Sequence, residues 1–296
     1  MVQGTETATY GGRGHGYVSV GTLLEWIDAA GIAAATQWSG CRCVTAAMGN
    51  VHFDRLIRVG EHVDVRADVV YTGHSSMHAL ATVASAESTQ TLQCASILVG
   101  VDQSGVPTEV PPWNPVTILE LQRQRQARIR MRVRSQIENA MAAASYTADG
   151  TAPRTVLRFH PTAGDAGSVM RWIDDAAVAC GSDWAGTPVT TSYIAGISFR
   201  RPILPGRAVD VTARLIHTGP RSIHIGAHVY TGDHGTRHLA AQAVIVVSPD
   251  DRHDSSEVRQ WRPETAEDHR LDQHARHLIG LRPFIEPFSG LRLTVA

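Results

Sequence analysis

Lysine is absent from all 296 residues. Every fixed side-chain cation is therefore arginine, which suits bidentate contact with phosphate and cannot act as a catalytic amine, so Schiff-base chemistry is excluded. Cysteine is scarce as well. Cys41, Cys43, Cys94 and Cys180 show neither CxxC spacing nor the density of a disulfide scaffold, and they read as packed thiols in a reducing cytosol. The segment from Met1 to Gly21 lacks the apolar core of a secretory signal. The most apolar long stretch, Thr22 to Trp38, is interrupted by Glu25 and Asp28 and is short for a membrane span, so it reads as a buried core helix. A cytoplasmic protein without a membrane segment is expected. Net charge is also lacking: 27 arginines face 28 acidic residues, giving -1. Neither nucleic acid nor an anionic membrane is attracted by the chain as a whole, and partners must be argued from local features.

What the chain does have is a copy of itself. An ungapped offset of 146 residues lays Gly21, Trp26, Ile27, Asp28, Ala30 and Trp38 on Gly167, Trp172, Ile173, Asp174, Ala176 and Trp184. The same register lays Thr45, Phe53, Arg55, Ile57 and Gly60 on Thr191, Phe199, Arg201, Ile203 and Gly206, and Thr72, Gly73, Ser76 and His78 on Thr218, Gly219, Ser222 and His224. After a two-residue slip, Trp113, Pro115, Thr117 and Arg128 match Trp261, Pro263, Thr265 and Arg276. Agreement that includes Trp, Gly and Asp in one register marks two structural repeats. Each repeat reads as a long apolar helix followed by strands with period-two alternation, such as Val63, Val65, Ala67 and Val69. The fold class is thus α+β. The expected organisation is a first unit over 1–142 with a trailing helical segment, a linker over 143–154, and a second unit over 155–296 with a C-terminal tail. The trailing helix is expected to run from Trp113 to about Ala127. The alternating run from Arg128 to Arg134 is compatible with strand or helix.

A helix carrying Gly-x-x-x-x-Trp-Ile-Asp, then a Val-Thr or Thr-Thr strand, then Phe-x-x-x-Ile-x-x-Gly-x-x-Val-x-Val, then Thr-Gly-x-x-Ser, resembles the hotdog-fold acyl-CoA thioesterases. The resemblance covers roughly residues 15 to 102 and 160 to 249 and occurs twice, as in the tandem members of that family. It implies a double hotdog, each unit a long central helix wrapped by a curved antiparallel sheet. It also implies hydrolysis of a fatty acyl-CoA to free acid and coenzyme A, at sites where the helix carboxylate of one unit meets the leading loop of the other. Assembly as a homo-oligomer is implied too, a trimer of double hotdogs being favoured. No cofactor, metal, nucleic acid or membrane is expected as a partner.

The candidate catalytic groups follow from the residues themselves. Asp28 and Asp174 sit on apolar helices, where an unpaired buried carboxylate costs several kcal/mol. Such a group either faces a substrate crevice, as general base or nucleophile, or braces a neighbouring loop. Coenzyme A leaves as a thiolate and needs little acid assistance, whereas the oxyanion needs donors. The backbone amides at Gly21 and Gly167, at the helix N-termini, are candidates for that task. His15 and His160 precede the two aspartates in the leading loops, where the family places a polar helper. A surface histidine is the competing reading, and Asp165 is another candidate in the second loop. Thr45 and Thr191 begin the strand after each helix and are placed to bond the carboxylate or its water. Ser75, Ser76, Arg221 and Ser222 follow the Thr-Gly turns, where the family contacts coenzyme A; solvated turn residues are the alternative. Arginines 123, 125, 128, 130, 132 and 134 spread around a helix, which favours a solvated or subunit-contact segment over nucleic acid. Two other functions stay open: a non-catalytic acyl-CoA-binding or sensing protein, and a hotdog enoyl-CoA hydratase or dehydratase, which would require a Gly-Asp-x-Asn-Pro-like segment that the chain lacks.

Overall fold

The computed structural model describes residues 16–53, 55–85, 91–143, 150–161, 166–232, 237–249 and 257–282. The first repeat comprises α1 (Val20–Ser39), β1 (Arg42–Gly49), β2 (Val51–His52), β3 (Val63–Thr72), β4 (Ser76–Ser85), β5 (Thr91–Val101) and α2 (Ile118–Ala143). The second comprises β6 (Arg154–Phe159), α3 (Ala166–Ala185), β7 (Val189–Phe199), β8 (Val209–Thr218), β9 (Ile223–Thr231), β10 (His238–Pro249) and α4 (Ala266–Leu281).

Local signals set the ends of α1. The Ser19 hydroxyl accepts from the Thr22 amide at 3.1 Å, an N-cap that satisfies one of the first-turn donors. At the other end Gly40 adopts φ 70 and donates to Thr36 O, the left-handed stop that glycine takes without steric cost. Between the caps Leu24, Ile27, Asp28, Gly31 and Ala35 recur at three- and four-residue spacing and are buried. In α3 the same stripe is Met170, Ile173, Ala177 and Cys180.

The strands of both repeats join into one ten-stranded antiparallel sheet, in the order β3-β4-β5-β1-β7-β10-β9-β8-β6 with β2 also paired to β7. The seam is short, Ala47 opposite Ser198 and Met48 opposite Ile197. A side chain at Gly49 would meet the Gly196 backbone at 2.7 Å, so a residue without Cβ is needed there. His52 opposite Tyr193 repeats the Ala47–Ser198 pair after exchange of the two copies, and Asn50, at φ 58, interrupts what is a single strand in the second repeat. Both long helices pack on one face of this sheet and share a core that runs across the seam. This is the expected double hotdog, two sausages in one continuous bun.

Repeated residues outside the helices act as clamps. Trp38 and Trp184 donate from the indole to Pro111 O and Arg259 O at 3.0 and 2.9 Å. Thr72 and Thr218 accept from the amides of Trp113 and Trp261 at 2.7 and 2.9 Å. The trailing segment is thereby stitched to the sheet in each copy.

The expected bounds of that helix are revised, beginning with its start, which lies at Ile118 and not at Trp113. The helix does not stop near Ala127: α2 continues to Ala143, so the ambiguous arginine-rich run is helical. It continues because Ile137 and Met141 are buried with Leu271, Ala275 and Leu278 of α4 and with Ile216 and Val244 of the sheet; tertiary burial outweighs the period-two pattern. α4 starts with a capping box, Thr265 and Asp268. Asp268 also accepts from Thr151, from the Ala152 amide and from Arg214. Burial alone would raise its carboxyl, but the bonds from Thr151 and Thr265 hold it far below the usual carboxylate range. All four cysteines are free thiols. No helix among the described residues is long and apolar enough to cross a membrane.

The outer face of the second repeat buries histidines in uncharged form. Burial lowers His224 to about 3, with the charges of His217 and Arg282 acting the same way, and lowers His228 and His274 to about 4. A base with a depressed folded pKa takes up its proton more readily in the unfolded chain. The stability it allows is present above about pH 6.5 and is lost as pH falls toward the folded value. The expected result is a loss at pH 5 of up to about 2 kcal/mol for each fully buried histidine, measured as a lower midpoint of urea unfolding than at pH 7.5. A midpoint that does not change over this range would contradict the buried neutral assignment.

Candidate active site

The two central helices run antiparallel and touch through their glycines. A Cβ at Gly21 would lie 2.7 Å from Arg171 Cα, and one at Gly167 would lie 3.4 Å from Glu25 Cα. Exchange of the repeats turns one contact into the other. Glu25 and Arg171, also equivalent positions, face each other across this crossing at 3.5 Å.

This close approach builds the site. Gly21 is seven residues from the aspartate of its own helix, about 10 Å along the axis, and cannot reach it. It reaches the aspartate of the other repeat: the Gly21 amide donates to Asp174 Oδ2 at 2.8 Å. Thr191, at the start of β7, donates its hydroxyl to Asp174 Oδ1 at 2.6 Å. In the first repeat Thr45 donates to Asp28 Oδ1 at 2.5 Å. Both carboxylates are at least 96% removed from solvent, with residual exposures of 4% and 3%.

The electrostatics follow. Burial pushes the Asp174 carboxyl up to about 6, and the charge of neighbouring Asp175 acts in the same direction. Bonds from Thr191 and Gly21 oppose the rise by favouring the ionised form. The carboxylate also lies at the positive end of α1, which favours its charge. Each carboxylate oxygen has two acceptor positions, so two donors leave capacity for a water or a substrate atom. A carboxylate with a pKa near 6 is mostly ionised at neutral pH and still basic enough to take a proton.

Of the residues singled out from the sequence, the structure therefore groups Asp174, Thr191 and Gly21, and separately Asp28 and Thr45. The Gly21 amide, expected to face an oxyanion, instead donates to the carboxylate. Gly167 lies against Glu25. His15 and Asp165 lie outside the described residues. His160 is exposed at the end of β6. Ser75 and Ser76 lie in the β3–β4 turn, which approaches the C-terminal end of α1, where Met77 packs with Ala35. That end is about 10 Å along the axis from Asp28, so these serines are not grouped with the carboxylate. Arg221 and Ser222 hold the same place between β8 and β9, Arg221 exposed and Ser222 half-buried. Gly73 and Gly219 donate their amides to the carbonyls of Ser76 and Ser222, so the Thr-Gly-x-x-Ser pattern first of all makes a turn. The sequence signal for the cross-repeat bond from Gly21 is the glycine two turns ahead of each aspartate.

Comparison with known proteins bears on the fold and its repetition. The model of the thioesterase superfamily matches residues 15–91 and 166–237, one segment in each repeat. Acyl-coenzyme A thioesterase 11 of Mus musculus is 44% identical over 62 residues, which is 21% of this chain and 10% of that protein. Acetyl-coenzyme A thioesterase of Rattus norvegicus is 36% identical over 77 residues, 26% of this chain and 14% of that protein. The chain thus spans a small part of the length of these relatives. A protein of Lactobacillus plantarum assigned as an oleoyl thioesterase shares the fold, with a TM-score of 0.56 over 82% of this chain and 91% of its own and 11% identity.

A buried carboxylate raised above its ordinary value is destabilising when ionised. Asp174→Asn keeps an acceptor for the Gly21 amide and a donor for the Thr191 oxygen while removing the charge. It is expected to stabilise the protein at pH 8 by on the order of 2 kcal/mol, read from denaturant unfolding. A less stable variant would mean that the charge is more fully compensated than these contacts indicate.

Proposed function

Because this chain belongs to the thioesterase superfamily and carries its matching segment twice, we propose that it is an acyl-CoA thioesterase, hydrolysing the thioester of a fatty acyl-CoA. The observation that carries the reading is the carboxylate of Asp174, buried, raised to about 6 and held by a donor from each repeat. Asp174 acts on the thioester carbon either as general base toward a water or as nucleophile. Thr191 fixes one carboxylate oxygen and Gly21 the other, which limits rotation and aims the remaining lone pairs in one direction. The N-terminal dipole of α1 supports the negative charge of the base and, on the same side, that of the developing oxyanion. The thiolate of coenzyme A departs without a dedicated acid, since a thiol near pKa 8.5 is a good leaving group. Asp28 with Thr45 forms the equivalent half-site of the other repeat. The phosphates of coenzyme A fall to the Arg221 and Ser222 turn or to the Ser75 and Ser76 turn, which offer a guanidinium, hydroxyls and backbone donors. His15 and His160 are the helpers proposed for the two leading loops.

The test is release of free thiol from a series of acyl-CoAs. Asp174→Asn is expected to lower kcat by about 100-fold or more while KM changes little, as for loss of a group that acts mainly in the transition state. The rate should rise with pH through an apparent pKa near 6 and then level off, and this limb should vanish in the variant. Retention of full thiol release by Asp174→Asn and by Asp28→Asn would overturn the reading, and tight acyl-CoA binding without release would indicate a sensor instead.

A further inference from the structure

The exposed side of α2 is unlike anything its counterpart carries. Ile118, Leu121, Arg125, Ile129 and Arg132 recur at three- and four-residue spacing and form one stripe along the helix. All five are exposed, Ile118 by 77%, Ile129 by 55% and Leu121 by 44%, and Val116 just before the helix is 86% exposed. The opposite side, with Ala127, Ile137 and Met141, is buried against the protein. The second repeat supplies an internal control. At the positions of Val116, Ile118, Leu121 and Ile129, the segment leading into and along α4 has Glu264, Ala266, His269 and His277. Charge differs in the same sense. α2 holds six arginines against two glutamates, net +4, whereas α4 holds Arg270 and Arg276 against Glu267, Asp268 and Asp272, net -1.

We propose that this stripe is a docking surface for anionic lipid bilayers, which brings the protein to the membrane face. Large exposed aliphatic side chains on the first two turns insert below the headgroups. Arginines on the same stripe reach the lipid phosphates while their stems lie along the apolar boundary. The two other occupants fit less well. A second copy in a twofold contact, stripe on stripe, would oppose arginine with arginine. A nucleic acid backbone would take up the arginines and leave Val116, Ile118 and Leu121 in water. The whole-chain charge of -1 is no obstacle, because attraction of a basic segment to a lipid surface acts within a Debye length. The surface is separate from the two carboxylate sites, so the proposal stands whether or not the chain is a thioesterase.

The test is co-sedimentation of the intact protein with vesicles of phosphatidylcholine alone and of phosphatidylcholine mixed with phosphatidylglycerol. Binding is expected only to the mixed vesicles and should weaken with added salt. Arg125→Gln and Arg132→Gln should each weaken it about fivefold, and Ile118→Glu with Leu121→Glu should abolish it. All these variants alter exposed side chains and should keep the parent's unfolding midpoint and acyl-CoA hydrolysis in detergent-free solution. Failure to bind mixed vesicles would overturn the proposal, as would equal binding to both vesicle types or binding unaffected by the variants. Self-association, or retention of duplex DNA, that Ile118→Glu or Arg125→Gln removes in the absence of vesicle binding would assign the stripe to a second copy or to nucleic acid.

Discussion

The structure depends on one close approach, the crossing of α1 and α3 at Gly21 and Gly167. With a side chain at Gly21 the helices would be forced apart by contact with Arg171 Cα at 2.7 Å. The amide of Gly21 would then lose Asp174, now 2.8 Å away. Two consequences of different kind follow from that single contact. Mechanically, it locks the repeats together, since the seam of the sheet is only a few residues long and the shared core passes between the helices. Chemically, it lets one repeat supply the donor and the other the carboxylate, so neither repeat alone contains the Asp174 arrangement.

In its proposed role the Asp174 carboxylate sets stability against chemistry. Desolvation raises it, and the donors from Thr191 and Gly21 recover only part of the loss. A protein selected for stability alone would place an amide or an aliphatic residue there. Elsewhere the same chain shows the other outcome. Asp268 is completely buried, yet with Thr151, Thr265, Ala152 and Arg214 around it the group is held strongly acidic and fastens α4 to the start of the second repeat. Two aspartates with almost no solvent exposure thus differ in character: desolvation dominates at Asp174, whereas the larger set of donors dominates at Asp268.

Much of the fold could be read from the residues, for identifiable reasons. The helices carry three- and four-residue apolar spacing and the strands alternate, so each element states its own period. The repeat then made a single unit sufficient to describe both. The pairing of Thr45 with Asp28 and of Thr191 with Asp174 was also legible, because a strand that follows a helix directly comes back across it. What could not be read lies in contacts between distant segments. The bond between residues 21 and 174 depends on how the helices cross; the glycine two turns ahead of each aspartate marks a close approach without naming its partner. The full length of α2 is not legible locally because Ile137 and Met141 find their partners in α4, more than a hundred residues on. The repeated tryptophans and threonines were visible as matches, yet their role as clamps on the trailing segments appears only with the backbone atoms they bind. The two copies have also diverged, with alternating half-buried positions along β4 and full burial of most of β9 and β10, and this asymmetry follows from which helices cover each outer face.

The proposed role of Asp174 is that of a base poised by burial beside a bound acyl-CoA. The most direct measurement is the carboxyl carbon resonance of Asp174 in protein labelled at aspartate with carbon-13, assigned with Asp174→Asn, followed through a pH titration with and without a non-hydrolysable thioether analogue of an acyl-CoA. A titration centred near pH 6 is expected, with a shift of that resonance when the analogue binds. An ordinary carboxylate midpoint near 4, with a resonance indifferent to the analogue, would contradict it.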